Sequence, residues 1–99
     1  MNPQPAVIGQ IAERVSLCPN VEKVILFGSR ARGDEDERSD IDLAVAGSHI
    51  SKEEWREMRD YIEEKARTLL FIDVVRLEYV SEKLRENIQR EGITLYERN

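Results

Sequence analysis

Three aspartates and one Gly-Ser step are the residues of this chain best suited to chemistry. Asp40 and Asp42 open the segment IDLAVA, and Asp73 interrupts the apolar run LFIDVV. In an extended strand, residues i and i+2 face the same way, about 6.7 Å apart along it. Asp40 and Asp42 would therefore share a face with Ala44 and Ala46, leaving Ile41, Leu43 and Val45 for the core. Two carboxylates this close repel each other unless a cation lies between them. Hard oxygen ligands on a stiff strand suit Mg²⁺, which takes one or two carboxylates together with substrate phosphates and water. The plainer alternative is a solvated strand face with two surface aspartates, and Asp73 weighs against it. An aspartate between Ile72 and Val74 is expected to be buried, and a buried, unpaired carboxylate costs several kcal/mol. Pairing with Arg76 would relieve it; so would a shared cation, if the strand holding Asp73 lies beside the aspartate pair at the ~4.8 Å interstrand spacing. Three carboxylates around one point can hold two Mg²⁺ ions roughly 3.5–4 Å apart, the arrangement used for in-line phosphoryl or nucleotidyl displacement.

Gly28-Ser29 ends an apolar run and is followed by Arg30-Ala31-Arg32-Gly33. A glycine where a strand gives way to a short helix lets an anion approach the backbone, with the freed N–H groups and the helix dipole turned toward it. The Ser29 hydroxyl adds a donor, and Arg30 and Arg32 add charge that can pair with phosphate. Taken alone, the same residues also fit a tight turn with solvated arginines. The acidic run Asp34 to Glu37 sits in the connection between the two motifs. It reads as a mobile solvated loop, offset by Arg30, Arg32 and Arg38, or as a surface for a basic partner. It lacks the glycine and terminal glutamate of an EF-hand.

The elements that must hold these residues follow from periodicity. Val7, Ile8, Ile11 and Val15 share a helical face that stops at Pro19-Asn20,. Val21 to Phe27 reads as a buried strand, and the alternation of Ile41 to Ala46 as a strand covered on one face,. Ser51 and Glu54 form a capping box, backed by an Ile50–Trp55 staple. The helix behind it lays Trp55, Met58, Ile62, Ala66 and Leu69 along one stripe, a pattern of core packing,. Leu70 to Leu77 makes a third strand, Ser81 caps a last helix carrying Leu84 and Ile88, Gly92 closes it, and Ile93 to Tyr96 can add a terminal strand,. The sum is an α/β fold: helices packed on a small sheet of mixed direction.

Ninety-nine residues make one domain, 1–99,. With 40% hydrophobic and 35% charged residues the chain is globular,. No apolar run approaches a membrane span, and the N-terminus lacks the pattern of a secretory signal. The lone cysteine, Cys18, fits a reducing cytoplasm,. A net charge of −5 argues against direct nucleic-acid binding, which draws on Lys and Arg,. Phosphate must instead be held by a local site. The small core leaves room for a homo- or hetero-oligomeric partner. His49 beside a helix cap and Cys18 before Pro19 read as structural, as do Tyr61, Tyr79 and Tyr96 at the core's edge, although one tyrosine could stack on a base. No Walker loop or dinucleotide fingerprint occurs.

Taken together, GSRARG, ten intervening residues (30 to 39) after Gly28-Ser29, SDIDLAV and an isolated strand Asp73 form a specific pattern. It resembles the minimal nucleotidyltransferases of the DNA polymerase β superfamily, above all the small MNT antitoxins that pair with HEPN toxins. The resemblance runs from about Val24 through Asp73 to the closing EGITLYE. It implies a polymerase β-like fold, with Gly28 and Ser29 holding the β/γ phosphates of ATP. Asp40 and Asp42 would bind two Mg²⁺ ions; Asp73 would bind the catalytic one and help deprotonate the attacking hydroxyl. The implied reaction is transfer of AMP to a tyrosine hydroxyl of an HEPN toxin, which silences its RNase activity. Relatives that modify small molecules carry an added domain walling the acceptor site, so this length points to an acceptor on another polypeptide. A binding-only antitoxin and the catalytic subunit of a two-chain small-molecule nucleotidyltransferase are the alternatives. The intact motif residues favour chemistry.

Overall fold

A computed structural model describes residues 5–34, 40–66 and 71–98. Its elements run α1 (Ala6–Ser16), β1 (Lys23–Phe27), α2 (Ser29–Arg32), β2 (Ile41–Ala46), α3 (Lys52–Lys65), β3 (Ile72–Arg76), a 3₁₀ turn (Leu77–Tyr79), α4 (Glu82–Glu91) and β4 (Ile93–Glu97). The strands form one sheet in the order β3-β2-β1-β4, with β2 and β3 parallel and the other pairs antiparallel. Parallel neighbours need a crossover, and α3 provides it. The mixed α/β fold expected from the sequence is the one observed. The third strand begins at Ile72, later than expected, and Leu69, Leu70 and Glu35 to Ser39 lie outside the described residues. No helix among the described residues is long and apolar enough to cross a membrane.

The core has two parts, one on each face of the sheet. On the first, Ile8, Ile11 and Val15 of α1 and Met58 and Ile62 of α3 pack on Val24, Leu26, Ile41, Leu43 and Val45. On the second, Ile88 of α4 and Leu77 cover Ile25, Ala44 and Ala46. This corrects the one-sided reading of β2, since Ala44 is fully buried and Ala46 nearly so. Alanine is small enough to let a helix sit close over the strand, yet it carries no hydrophobic signal strong enough to mark that face as covered. Gly92 ends α4 with φ −72°, which needs no left-handed residue. A Cβ there would lie 2.4 Å from both Ile25 and the Ile88 carbonyl, so close packing requires the glycine.

The capping box forms as expected, and its glutamate does more than cap. The Ser51 hydroxyl accepts from the Glu54 amide at 3.0 Å, and Glu54 Oε1 accepts from the Ser51 amide at 2.8 Å. Asn20 donates to both carboxylate oxygens of Glu54, and the Cys18 thiol donates to Oε2 at 3.2 Å. The Ser51 amide, then Asn20 and Cys18, hold the Glu54 carboxyl down to about 2, while burial pushes the Cys18 thiol up. This web ties α3 to the turn between α1 and β1. Ser51→Ala should cost about 1 kcal/mol, seen as a melting point lower by about 4–8 °C. A carboxyl held low stabilises fully above its unfolded value near 4.5, and that contribution is lost as pH falls through about 2,. Thermal melts between pH 6 and pH 2 should therefore show a steeper acid decline in the parent than in Glu54→Gln.

Candidate active site

The first strand leads into the site through a backbone that only glycine accommodates. Gly28 adopts φ 76° and ψ −156°, a region closed to residues with a Cβ. A Cβ at this position would meet Asp42 Oδ2 at 2.3 Å. The β1–β2 register sets Phe27 opposite Asp42, so the chain turns into α2 directly against that carboxylate. The Gly28 carbonyl accepts from the amides of Ala31 and Arg32, and that of Ser29 from the amides of Gly33 and Asp34. The amides of Ser29 and Arg30 precede any intrahelical acceptor. Because α2 is a single turn of four residues, what it can offer an anion is these amides and the half-buried Ser29; a dipole summed over so few peptides adds little.

On its other side Asp42 stands beside Asp73, its partner in the parallel β2–β3 register. Phe27 and Val75, the strand neighbours of this line, pack with the second core, so both carboxylates emerge from the face that α4 covers further along. Asp40 is exposed at the start of β2. Burial, then Asp73, then Asp40 push the half-buried Asp42 carboxyl above its usual value, while Arg32 pulls it back. The site thus carries a local surplus of negative charge, and its donors are the hard oxygens that Mg²⁺ prefers. Among the described residues, no three acidic, His or Cys side chains converge tightly enough to hold a cation as they stand. The backbone register sets Asp42 and Asp73 side by side on neighbouring strands.

Two expectations need correction. Asp73 is exposed, because β3 is the outermost strand on its side of the sheet; burial does not compel a cation at this position. Nor does it pair with Arg76, whose guanidinium donates to the Gly47 carbonyl and the Tyr79 hydroxyl and lies 4.4 Å from the Tyr79 ring and 5.8 Å from that of Trp55. Arg30, expected among the phosphate ligands, is only 5% exposed and is engaged within the protein. Arg32 stays at the site, bridging Asp34 at 3.0 Å and Glu91 of α4 at 3.6 Å. Glu91 went unnoticed in the sequence, where no periodicity links it to residue 32. Of the residues singled out, the fold gathers Gly28, Ser29, Arg32, Asp42 and Asp73, with Asp40 at the rim.

A larger groove of about 560 Å³ lies elsewhere, between α1 and β4, and no carboxylate of the three lines it. A smaller one of about 210 Å³ runs between α3 and β3 and includes Asp73.

The chain is similar in structure to a minimal nucleotidyltransferase with TM-score 0.66 and 29% identity, covering 89% of this chain and 91% of that one. It is similar in fold to a chain of a toxin–antitoxin complex with AMP-PNP, with TM-score 0.70, 21% identity and coverage of 92% and 74%. A third similar chain belongs to the complex of a tri-AMPylated Shewanella oneidensis HEPN toxin with its MNT antitoxin, with TM-score 0.65, 19% identity and coverage of 94% and 72%. No curated protein matches the chain in sequence. The family model for polymerase beta nucleotidyltransferases matches residues 9–99, nearly the whole length over which the glycine turn and the aspartates are arrayed, and to that family the chain belongs.

Proposed function

We propose that this nucleotidyltransferase moves AMP from ATP to a tyrosine hydroxyl of an HEPN-type toxin and thereby silences it. The observation that carries the reading is Asp42, set between a glycine turn on β1 and Asp73 on β3. Support also comes from fold neighbours solved with AMP-PNP and with a tri-AMPylated toxin.

In this reading, Ser29 and the first amides of α2 take the β and γ phosphates, and Arg32 offsets their charge beside Asp42. The acceptor oxygen bonds to the α-phosphorus as the bond from that phosphorus to the bridging β-phosphate oxygen breaks. Pyrophosphate leaves with the electron pair. Asp73, the exposed carboxylate of the aligned pair, takes the proton from the hydroxyl. Asp40, Asp42 and Asp73 would hold Mg²⁺, which when bound would supply neutralisation of the charge that builds up during transfer. The proposed setting is the cytoplasm, where Cys18 stays a thiol.

The test is to incubate the protein with ATP, Mg²⁺ and its HEPN-type partner and weigh both chains by mass spectrometry. An AMP-sized increment on the partner is expected. No increment, with the toxin still silenced by the Asp40→Asn/Asp42→Asn double variant, would replace this reading with neutralisation by binding alone.

A further inference from the structure

The face that carries the aspartates has one apolar corner. In the parallel ladder Ile41 is level with Ile72, and Asp42 with Asp73. The pairing begins at Phe71, whose carbonyl accepts from the Ile41 amide at 2.8 Å, so Asp40 stands level with Phe71. Residues i and i+2 of a strand share a face. Asp40 and Asp42 on β2, with Phe71 and Asp73 on β3, therefore mark out a patch about 6.7 Å long and about 4.8 Å across. Three of its corners carry carboxylates and the fourth carries a phenyl ring. Val75, the next residue of β3 on this face, packs with the second core, whereas Phe71 is 78% exposed and packs with neither. A single exposed aromatic is ordinary on a protein surface. What sets this one apart is its place, on the face and at the level of the site carboxylates.

We infer that Phe71 selects the acceptor: the aromatic ring that bears the attacking hydroxyl packs on the Phe71 ring and turns its oxygen toward Asp73, so a phenolic hydroxyl is taken in preference to an aliphatic one. This rests on the proposed transfer to a protein hydroxyl. The direction of displacement decides what Phe71 meets. The turn assigned to the β and γ phosphates follows β1, and Asp42 on β2 lies between that turn and β3. In an in-line displacement the attacking and leaving oxygens stand on opposite sides of the phosphorus. With pyrophosphate leaving toward β1, the hydroxyl enters from the side of β3, the strand that holds Phe71. Aromatic rings pair in offset or edge-to-face contact with centroids roughly 4.5–7 Å apart, a range that includes the spacing of the patch. A serine has no ring to lay there and gains nothing from Phe71.

A double-mutant cycle across the complex tests the contact. Mass spectrometry first locates the modified residue of the HEPN-type partner, which is then replaced by phenylalanine, keeping the ring without the hydroxyl, or by alanine. Dissociation constants are measured with ATP and Mg²⁺ present. The parent should bind the phenylalanine form about tenfold more tightly than the alanine form. Phe71→Ala should bind the two forms equally, and Phe71→Trp, which restores a ring, should again prefer the first. Because Phe71 is exposed, Phe71→Ala should keep the parent's melting temperature and its ATP·Mg²⁺-dependent thermal shift. Transfer of AMP to an aliphatic hydroxyl, or to a tyrosine with no coupling between the two positions, would overturn the role of Phe71 and leave the proposed function standing. Loss of the nucleotide-dependent shift in Phe71→Ala without coupling would assign the ring to the nucleotide instead. Absence of any AMP transfer by the parent would overturn the function itself.

Discussion

Asp42→Asn should make the metal-free protein more stable while cutting AMP transfer about 10²–10³-fold, the loss that removal of one preorganised electrostatic group brings. The two effects share a cause. Burial, Asp73 and Asp40 raise the Asp42 carboxyl above its ordinary value of 3.8. A carboxyl raised in the fold favours folding fully below its unfolded value, and that advantage is lost as pH rises through the folded value. At neutral pH the charged side chain therefore strains the metal-free site, and asparagine relieves it. The site is partly open to solvent, so the relief is about 0.5 kcal/mol, or about 2–4 °C in melting temperature. Melts from pH 3 to pH 8 check the sign: parent and variant should converge in acid and separate toward neutrality. With ATP and Mg²⁺ present the order should reverse, because only the parent gains stability from the complex. A variant no more stable than the parent, or one that still responds to Mg²⁺, would contradict the placement of Asp42 at the centre of the site.

Gly28→Ala should have the largest effect on both folding and turnover. The alanine would occupy φ 76°, ψ −156° and would press its methyl into Asp42 Oδ2. Backbone strain of this kind costs about 2 kcal/mol, or about 10 °C in melting temperature, before the displacement of Asp42 is counted. Transfer should fall at least as far as in Asp42→Asn, even at temperatures where the variant remains folded. Gly33→Ala is the matched control. Gly33 also has a positive φ, of 85°, but nothing lies within 4 Å of an added Cβ. That variant should lose about 1 kcal/mol and keep its activity. Equal activity losses in the two would mean that the turn's conformation matters and its contact with Asp42 does not.

The parts of the site that depend on local chemistry could be read from the sequence. Gly28-Ser29 at a strand end and the i, i+2 pair Asp40/Asp42 are signals internal to one segment, and β2 and the Ser51 cap were found at their true positions for the same reason. What failed depended on partners distant in sequence. An aspartate between Ile72 and Val74 looks buried until the sheet order makes β3 an edge. Arg30 looks solvent-facing until the α2 turn folds it inward, two positions before Arg32, which stays out. Ala44 and Ala46 look like the continuation of a solvated face until α4 returns over them. The 3₁₀ turn at Leu77–Tyr79 gave no signal, because no glycine, proline or capping residue separates it from β3. In each case composition fixed the side chain and topology fixed its surroundings.

Burial of β2 on both faces, with β3 beside it at the margin, gives the carboxylates unequal mechanical footing. Asp42 is rooted in a strand clamped by helices above and below, and it moves only if the protein's interior moves. Asp73 grows from the outermost strand, where substitutions nearby disturb little else. In the proposed reaction, handling of the nucleotide would thereby be insulated from choice of the acceptor. If the proposed reaction holds, such a chain could exchange one recipient for another by changing its rim, with the part assigned to the triphosphate left untouched.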